Sequence, residues 1–249
     1  MSSQPFVGTE PQRLVEAEDV EANPELIKLA VEIEKRTGRY SGGPVKSFEA
    51  VGRDALATLL SEGLLPSHKL LDFGCGSLRL GYWLIRFLDE GCYFGIEPFR
   101  KGVEAGLELG IGEELQEFKR PRFSFSNENN FGVFDEQFDY VIARSILTHT
   151  APGMLTSILK SFRTTCPAGV FLASYWREDS KSHYHTVPNR TSGIEAVGDS
   201  LDIDDQRFIA VVRYTFAYIE AAARSTDLAV EELNRPTINK QIWLKFTPI

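Results

Sequence analysis

Two glycines follow a short apolar segment that ends in an acid, within the stretch Leu70 to Gly81 (LLDFGCGSLRLG). Glycine is used where the backbone must adopt a positive φ angle or come into contact with a ligand. Gly74 and Gly76 therefore predict a turn whose backbone is not covered by side chains at these two positions. Asp72 stands at the tip of the predicted strand, where its charge would repel a diphosphate and favour a ligand that carries positive charge.

The spacing of these glycines excludes two common nucleotide sites. The dinucleotide fingerprint G-x-G-x-x-G needs a glycine at position 79, which is Arg79, and a P-loop needs a lysine that does not follow. Glu97 ends the next predicted strand in YFGIEP. An acid about twenty residues beyond a glycine loop accepts hydrogen bonds from ribose hydroxyls. The predicted ligand has a ribose and a cationic or amine-bearing part, and no diphosphate.

The elements around the glycines predict an open α/β sheet. Apolar residues from Leu80 to Leu88 recur at helical spacing, and Gly91 stands where such a helix would end. A strand, a loop and a helix thus follow one another, and open α/β sheets bind ligands at such loops. Further strands are predicted at 123–126, 138–145, 170–175, 228–233 and 241–246, with 207–214 as a strand or a helix start.

Three segments together resemble the class I S-adenosylmethionine-dependent methyltransferases: LDFGCGSLR at 71–79, GIEP at 95–98 and FDYVIARSILTHT at 138–150. The resemblance implies a Rossmann-like three-layer αβα sandwich. Its sheet would have seven strands, mostly parallel, with an antiparallel last strand. One departure is that Leu78 takes the third glycine's place in the family's D-x-G-x-G-x-G loop. The helix and the cofactor are therefore expected to pack differently here.

The resemblance implies S-adenosylmethionine as the cofactor. Glu97 would hold the ribose and Pro98 would lie against the adenine. Asn127 best matches the position that reaches the adenine amine, with Glu128 next. The full set of implied cofactor residues is Asp72, Gly74, Cys75, Gly76, Arg79, Glu97, Pro98, Asn127, Glu128, Arg144 and Ser145.

The two arginines of this set have alternative roles. Arg79 and Arg144 can pair with the carboxylate of the cofactor, Arg79 from the start of the helix. Either can equally form a bridge to Glu97 or Asp72, which the sequence does not decide.

Histidines supply the candidate for acid–base chemistry. His149 follows the predicted fourth strand, and a neutral imidazole at working pH suits a general base; a structural role is the alternative. The residues expected to line the acceptor pocket are Tyr175, Trp176, Arg177, His183, Tyr184 and His185. A divalent metal site of His149, His183 and His185 with Asp202, Asp204 or Asp205 is the weaker alternative, so no metal is predicted.

The domain division follows from the same pattern. Residues 1–66 are predicted as an N-terminal tail and helical cap, with helices starting at Pro24 and near Ser47. Residues 67–249 would form the methyltransferase domain, with a substrate-binding insertion at 177–206. The loop Tyr40 to Pro44 is expected to be either a lid on the cofactor or a surface connector.

Composition limits the partners. A net charge of −8 over 249 residues disfavours a large nucleic-acid surface, which needs a basic face. No apolar run is long enough to cross a bilayer, and the polar, acidic N-terminus lacks the core of a secretory signal. Three widely spaced cysteines without C-x-x-C are typical of a reduced, cytoplasmic protein. We therefore expect no nucleic-acid or membrane partner; the oligomeric state is not indicated.

The function predicted on these grounds is methyl transfer to a small-molecule acceptor, at oxygen. Two alternatives stay open. One is a protein or RNA methyltransferase that uses the leading helices for recognition. The other is a non-catalytic module that binds the cofactor, or nothing, which Leu78 in the third glycine's place makes conceivable.

Overall fold

A seven-stranded sheet forms the centre of the fold in the computed structural model, which describes residues 14–15, 23–38, 45–179, 183–188, 209–235 and 237–249. In the described part of the chain, four further strands lie outside this sheet. Numbered along the chain, the strands are β1 (Leu14–Val15), β2 (Leu70–Phe73), β3 (Tyr93–Ile96), β4 (Arg122–Ser124), β5 (Tyr140–Ala143), β6 (Val170–Tyr175), β7 (Tyr184–Pro188), β8 (Ile209–Tyr214), β9 (Leu228–Glu232), β10 (Thr237–Ile238) and β11 (Ile242–Pro248).

The strand order in the large sheet is β4-β3-β2-β5-β6-β11-β9. The pairs from β4 to β6 are parallel, whereas β11 is antiparallel to both β6 and β9. This confirms the predicted mixed sheet with an antiparallel last strand. Because β11 runs in the opposite direction, it begins at the edge where its parallel neighbours end. That edge therefore receives residues from the start of β11 as well as from the ends of β2, β3, β5 and β6.

Helices cover both faces of the sheet, and alternate strand residues enter two apolar cores. Leu71 and Val141 belong to one core, and their neighbours Leu70 and Ile142 belong to the other, as the two-residue period of a strand requires. The helices are α1 (Pro24–Thr37), α2 (Phe48–Ser61), α3 (Gly81–Phe87), α4 (Arg100–Gly106), α5 (Glu113–Lys119), α6 (Pro152–Thr165) and α7 (Phe216–Arg224).

The start of α1 follows the sequence signals closely. The side chain of Asn23 accepts a hydrogen bond from the backbone N–H of Glu25 at 3.0 Å, and Pro24 is the first helical residue. At the other end, Gly38 has a φ of 73°, a left-handed conformation that glycine adopts without strain. The sequence Asn23-Pro24-Glu25 predicts this start and Gly38 predicts this end, and both are confirmed.

Two predictions differ from the structure. After Pro98 the sequence predicts a helix from about Arg100 to Glu108, whereas α4 ends at Gly106 and the chain continues as a π-helical turn, Leu107–Ile111. The insertion at 177–206 has no clear periodicity in the sequence, which predicts a loop, yet it contains β7, which pairs with β8 in an antiparallel ribbon. β7 was missed because its partner lies more than twenty residues away, so no short-turn hairpin signal is present. In the segment 207–214, predicted as a strand or a helix start, residues Ile209–Tyr214 form a strand.

Residues 180–182 and 189–206 of the insertion and the loop Tyr40 to Pro44 lie outside the described residues. None of the described helices combines the length and the apolar composition that crossing a membrane requires.

Candidate functional site

A cavity of about 290 Å³ lies at the edge of the sheet where β2, β3, β5 and β6 end. The predicted site residues that line it are Asp72, Gly74, Cys75, Gly76, Arg79, Glu97, Arg144, Ser145, His149 and Trp176. The lining residues that were not predicted are Val51, Ala55, Leu80, Ile146, Asn239 and Gln241. The structure thus brings the glycine turn, both arginines and the candidate base to one site.

The glycine turn sits at the end of β2 and is held by β3. Gly74 and Gly76 have φ angles of 77° and 57°. The backbone N–H groups of Gly74 and Cys75 donate to the carbonyl of Ile96 at 2.8 and 3.2 Å. A Cβ atom at Gly74 would lie 2.1 Å from Cδ1 of Ile146. Glycine is therefore required at position 74 for its conformation and for its lack of a side chain.

Glu97 is fixed by the same turn. Its Oε2 atom accepts a hydrogen bond from the backbone N–H of Gly76 at 3.0 Å, and its Oε1 atom accepts one from Phe99 at 2.8 Å. A carboxylate can accept about four hydrogen bonds, so both oxygens keep capacity for a ligand. Because backbone groups set its position, Glu97 is pre-organised in the cavity wall.

Leu78 occupies the place of a third glycine and adopts a glycine-like backbone conformation. Its φ angle is 62°, although its side chain is only 1% exposed. Two nearby glycines leave room for this side chain, since a Cβ at Gly81 would lie 2.9 Å from Cδ2 of Leu78 and one at Gly106 would lie 3.1 Å from its Cγ. Leu78 therefore combines a left-handed backbone conformation with a buried apolar side chain.

Asp72 is a buried carboxyl group at the tip of β2. It is 3% exposed, and its Oδ2 atom accepts a hydrogen bond from the hydroxyl of Tyr93 at 2.9 Å. Loss of solvation raises the pKa of Asp72 to about 7, an effect that the Tyr93 hydrogen bond and the charge of Arg79 partly oppose. A cationic ligand in the cavity would favour the ionised form.

The raised pKa of Asp72 predicts a pH-dependent effect of Asp72→Asn on stability. The unfolded chain releases this proton near pH 4 and the folded chain near pH 7, so the stability that the protonated carboxyl contributes is fully present below about pH 4 and is lost as pH rises through 7. Asparagine carries no such charge. We expect the free energy of unfolding of Asp72→Asn, relative to the wild type, to rise by about 2–3 kcal/mol between pH 5 and pH 8.

Urea unfolding at the two pH values measures this difference. Asp89→Asn, which changes an exposed carboxylate, is the matched control and should show no comparable trend. A relative stability of Asp72→Asn that is flat or falls with pH would contradict the raised pKa.

Arg144, which follows β5, lines the cavity as part of a polar cluster. One of its terminal nitrogens donates to Ser145 Oγ at 3.0 Å, to Ser174 Oγ at 3.1 Å and to Gln241 Oε1; the other donates to the carbonyl of Ile238 at 3.3 Å. Burial lowers the pKa of Arg144 to about 9, and the charge of Arg79 adds to this effect. Among the described residues Arg144 forms no bridge to Asp72 or Glu97, which removes that alternative for it.

His149 and Trp176 form part of the cavity wall near the solvent. His149 is exposed, and its ring meets that of Trp176 edge-on with centroids 6.4 Å apart. The indole N–H of Trp176 donates to the backbone carbonyl of Asn239 at 3.0 Å. The candidate base is thus next to an aromatic side chain that is fixed by the turn before β11.

The other predicted cofactor residues lie outside the cavity lining. Pro98, Asn127 and Glu128 are exposed. Asn127 and Glu128 follow β4, which is the outermost strand on the side of the sheet that carries Glu97. Their predicted contact with an adenine stays a prediction.

The other predicted acceptor residues also lie outside the cavity lining. Tyr175 is buried and its hydroxyl donates to Glu232, which also pairs with Arg177 at 3.0 Å. His183, Tyr184 and His185 stand at the start of the β7–β8 ribbon, where Tyr184 packs against other aromatic rings. Their role in acceptor binding stays a prediction.

The metal alternative gains no support from the part of the chain that the structure describes. No group of three or more histidine, cysteine, aspartate or glutamate side chains there could hold a metal ion. Asp202, Asp204 and Asp205 lie outside the described residues.

The lining residues that sequence reasoning missed had weak signals. Val51 and Ala55 lie on the apolar face of α2, and their spacing is typical of a helix face that packs against a protein core. Asn239 and Gln241 come just before β11. The signal for them is the antiparallel direction of the last strand, which places its beginning at the ligand edge.

Comparisons with known proteins place this fold. No protein-family model matches the chain. The structure of magnesium protoporphyrin IX methyltransferase (ChlM) from Synechocystis with bound S-adenosylmethionine matches with a TM-score of 0.54 and 12% identity, covering 92% of this chain and 87% of that one. A DhpI complex with S-adenosylhomocysteine matches with a TM-score of 0.59 and 15% identity over 90% of this chain and 97% of that one.

A third similar structure is an S-adenosylmethionine-dependent methyltransferase from Clostridium acetobutylicum. Its TM-score is 0.54 and its identity 13%, with 79% of this chain and 90% of that one covered. At such identities the likeness concerns the fold. Together with the strand order, these matches show that the chain has the class I fold of S-adenosylmethionine-dependent methyltransferases.

Proposed function

We propose that this chain is a cytoplasmic S-adenosylmethionine-dependent methyltransferase that transfers a methyl group to an oxygen atom of a small molecule. The observation that carries the proposal is the joint placement of the glycine turn, Asp72 and Glu97 around one cavity in a fold of this type. The three cysteines are unpaired, which is consistent with a reducing compartment.

The charged and polar groups of the cavity suit the cofactor. The bare backbone at Gly74 and Gly76 would lie against the methionine part, next to Asp72, whose ionised form would face the sulfonium and ammonium charges. Glu97 would accept hydrogen bonds from the ribose hydroxyls, with Asn127 or Glu128 near the adenine amine. When bound, the cofactor supplies an electrophilic methyl group on a positively charged sulfur.

The remaining residues would act on the acceptor. Val51, Ala55 and Ile146 would exclude water from its apolar part. His149 would take the proton from the acceptor hydroxyl as the oxygen becomes nucleophilic, and solvent next to the exposed imidazole would receive it. Positioning would supply most of the rate, and the base would add about 10²–10⁴-fold.

Two measurements test the proposed function. Isothermal calorimetry with S-adenosylhomocysteine should give micromolar binding, and tritiated methyl transfer to pooled small hydroxy compounds should label a small product. Absence of heat, or a millimolar constant, would favour the non-catalytic alternative. Label found only in protein or RNA would favour the macromolecular alternative.

His149→Gln should separate catalysis from binding. With an acceptor from that screen, we expect kcat to fall about 10²–10⁴-fold because the general base is lost, while affinity for S-adenosylhomocysteine stays within about threefold. His68→Gln is the matched control, because the Nδ1 atom of His68 accepts from Leu65 before β2, at the opposite edge of the sheet. An unchanged kcat in His149→Gln would assign His149 a structural role.

A further inference from the structure

Arg144 is a buried cation whose hydrogen-bond partners are all neutral. It is 7% exposed and lines the cavity. Its acceptors are two serine hydroxyls, the amide of Gln241 and the carbonyl of Ile238. No carboxylate among the described residues forms an ion pair with it, whereas Arg235 pairs with Asp54 at 3.6 Å. Within the described part of the chain its charge therefore lacks a direct carboxylate partner, and the charge of Asp54 favours its ionised form only from a greater distance.

An uncompensated buried charge is unfavourable unless something else pairs with it. A guanidinium group has five N–H donors, and the buried Nε atom of Arg144 has no acceptor. The lowered pKa of Arg144 has the same cause, since burial and the charge of Arg79 both disfavour its charged form. An anion in the cavity would compensate the positive charge of Arg144 through charge-assisted hydrogen bonds.

The surroundings of Arg144 hold the guanidinium in place. Ser174 Oγ donates to Gln241 Oε1 at 2.7 Å and accepts from the backbone N–H of Ser145 at 2.8 Å. The guanidinium carbon also lies 5.5 Å from the ring centroid of Trp243, a cation–π distance. Residues of β6, β10 and β11 thus fix the cation against the cavity, which is the arrangement of a binding group rather than of a surface arginine.

The position of Arg144 points to the acceptor and not to the cofactor. Glu97 follows β3, whereas Arg144 follows β5, two strand positions away, or roughly 10 Å at about 4.8 Å per strand. The partners of Arg144 extend further from β3, to Ser174 of β6, Ile238 of β10 and Gln241 just before β11. The cofactor has one α-carboxylate, and Arg79, three residues after Gly76, is the cation next to the glycine turn. Arg144 is then a second cation in the lining of the same cavity.

We propose that the methyl acceptor is a small carboxylic acid with an apolar body, and that Arg144 binds its carboxylate. The apolar lining from Val51, Ala55 and Ile146 suits such a body. The inference rests on the methyltransferase function proposed above, and it names the class of substrate for the same cavity.

Calorimetry on the wild-type protein tests the proposed function and the acceptor assignment separately. S-Adenosylhomocysteine is titrated first, and its failure to bind would overturn the proposed function and this inference with it. Benzoate and benzamide, which share their shape and differ in charge, are then titrated into the saturated complex. We expect benzoate to bind roughly 10- to 100-fold more tightly, as a charge-assisted hydrogen bond predicts. Binding of the cofactor product without this preference would overturn the acceptor assignment alone.

Variants then assign the preference to Arg144. Arg144→Gln should abolish the preference for benzoate over benzamide, and Arg144→Lys should keep part of this preference. In both variants we expect the affinity for S-adenosylhomocysteine to stay within about threefold and the circular dichroism spectrum to be unchanged. Arg224→Gln, at an exposed arginine of α7, is the control and should keep the preference. Loss of S-adenosylhomocysteine binding in folded Arg144→Gln would assign Arg144 to the cofactor and overturn the proposal. If Arg144→Gln does not fold, the wild-type comparison and Arg144→Lys decide the question.

Discussion

Replacing Glu97 by alanine is expected to weaken binding of S-adenosylhomocysteine by roughly 30- to 1,000-fold, because about 2–4 kcal/mol of charge-assisted hydrogen bonding is lost. Two effects combine in this loss. The ribose hydroxyls lose their carboxylate acceptor, and the backbone N–H groups of Gly76 and Phe99 lose the oxygens that hold them at 3.0 and 2.8 Å. Isothermal calorimetry at constant pH and ionic strength measures the change.

Two further variants make the Glu97 experiment specific. Glu97→Gln keeps one carbonyl oxygen, so we expect an intermediate affinity. Glu104→Ala removes an exposed acid of the neighbouring helix α4 that pairs only loosely with Arg100, at 3.8 Å, and it should leave binding unchanged. Unaltered affinity in Glu97→Ala would remove the ribose assignment and with it the main support for the cofactor.

Replacing Leu78 is expected to produce an unusual order of stabilities. Both Leu78→Ala and Leu78→Gly lose a buried side chain, which commonly destabilises a protein by about 3–5 kcal/mol. At a φ of 62° alanine keeps the backbone strain, whereas glycine relieves about 1–2 kcal/mol of it. We therefore expect Leu78→Gly to be about 1 kcal/mol more stable than Leu78→Ala, and both to be less stable than the wild type.

A helical leucine supplies the comparison. Leu84 in α3 is fully buried, and glycine there should be about 1 kcal/mol less stable than alanine. Urea unfolding of the four variants gives both differences. If glycine and alanine ranked in the same order at positions 78 and 84, the left-handed conformation of Leu78 would carry no strain.

The part of the site that the sequence predicts is the part built from neighbouring residues. The glycine turn and Glu97 come from the tips of two adjacent parallel strands, and each carries a local signal, so their meeting at one cavity follows from the order of strands and helices. The mixed sheet with its antiparallel last strand was implied by the resemblance to the class I methyltransferases. At Leu78 the backbone has the positive φ angle that is typical of glycine, although the residue is a leucine.

The part that the sequence does not predict depends on distant segments. Gln241 lies 97 positions from Arg144, its hydrogen-bond partner, and nothing local in the turn before β11 indicates that contact. Val51 and Ala55 have the pattern of packing residues, and whether an apolar helix face meets a core or a cavity is decided by tertiary structure. The β7–β8 ribbon joins strands separated by a long segment, so pattern alone could not pair them.

The antiparallel last strand has a consequence for the order of folding. β11 lies between β6 and β9, and Gln241 just before it contacts Arg144, so the proposed acceptor site is complete only after the final segment of the chain has inserted. A nascent polypeptide that has emerged only as far as β6 already contains the glycine turn and Glu97. Because such long-range contacts form slowly, we expect affinity for the nucleoside to develop earlier during refolding than discrimination between acceptors.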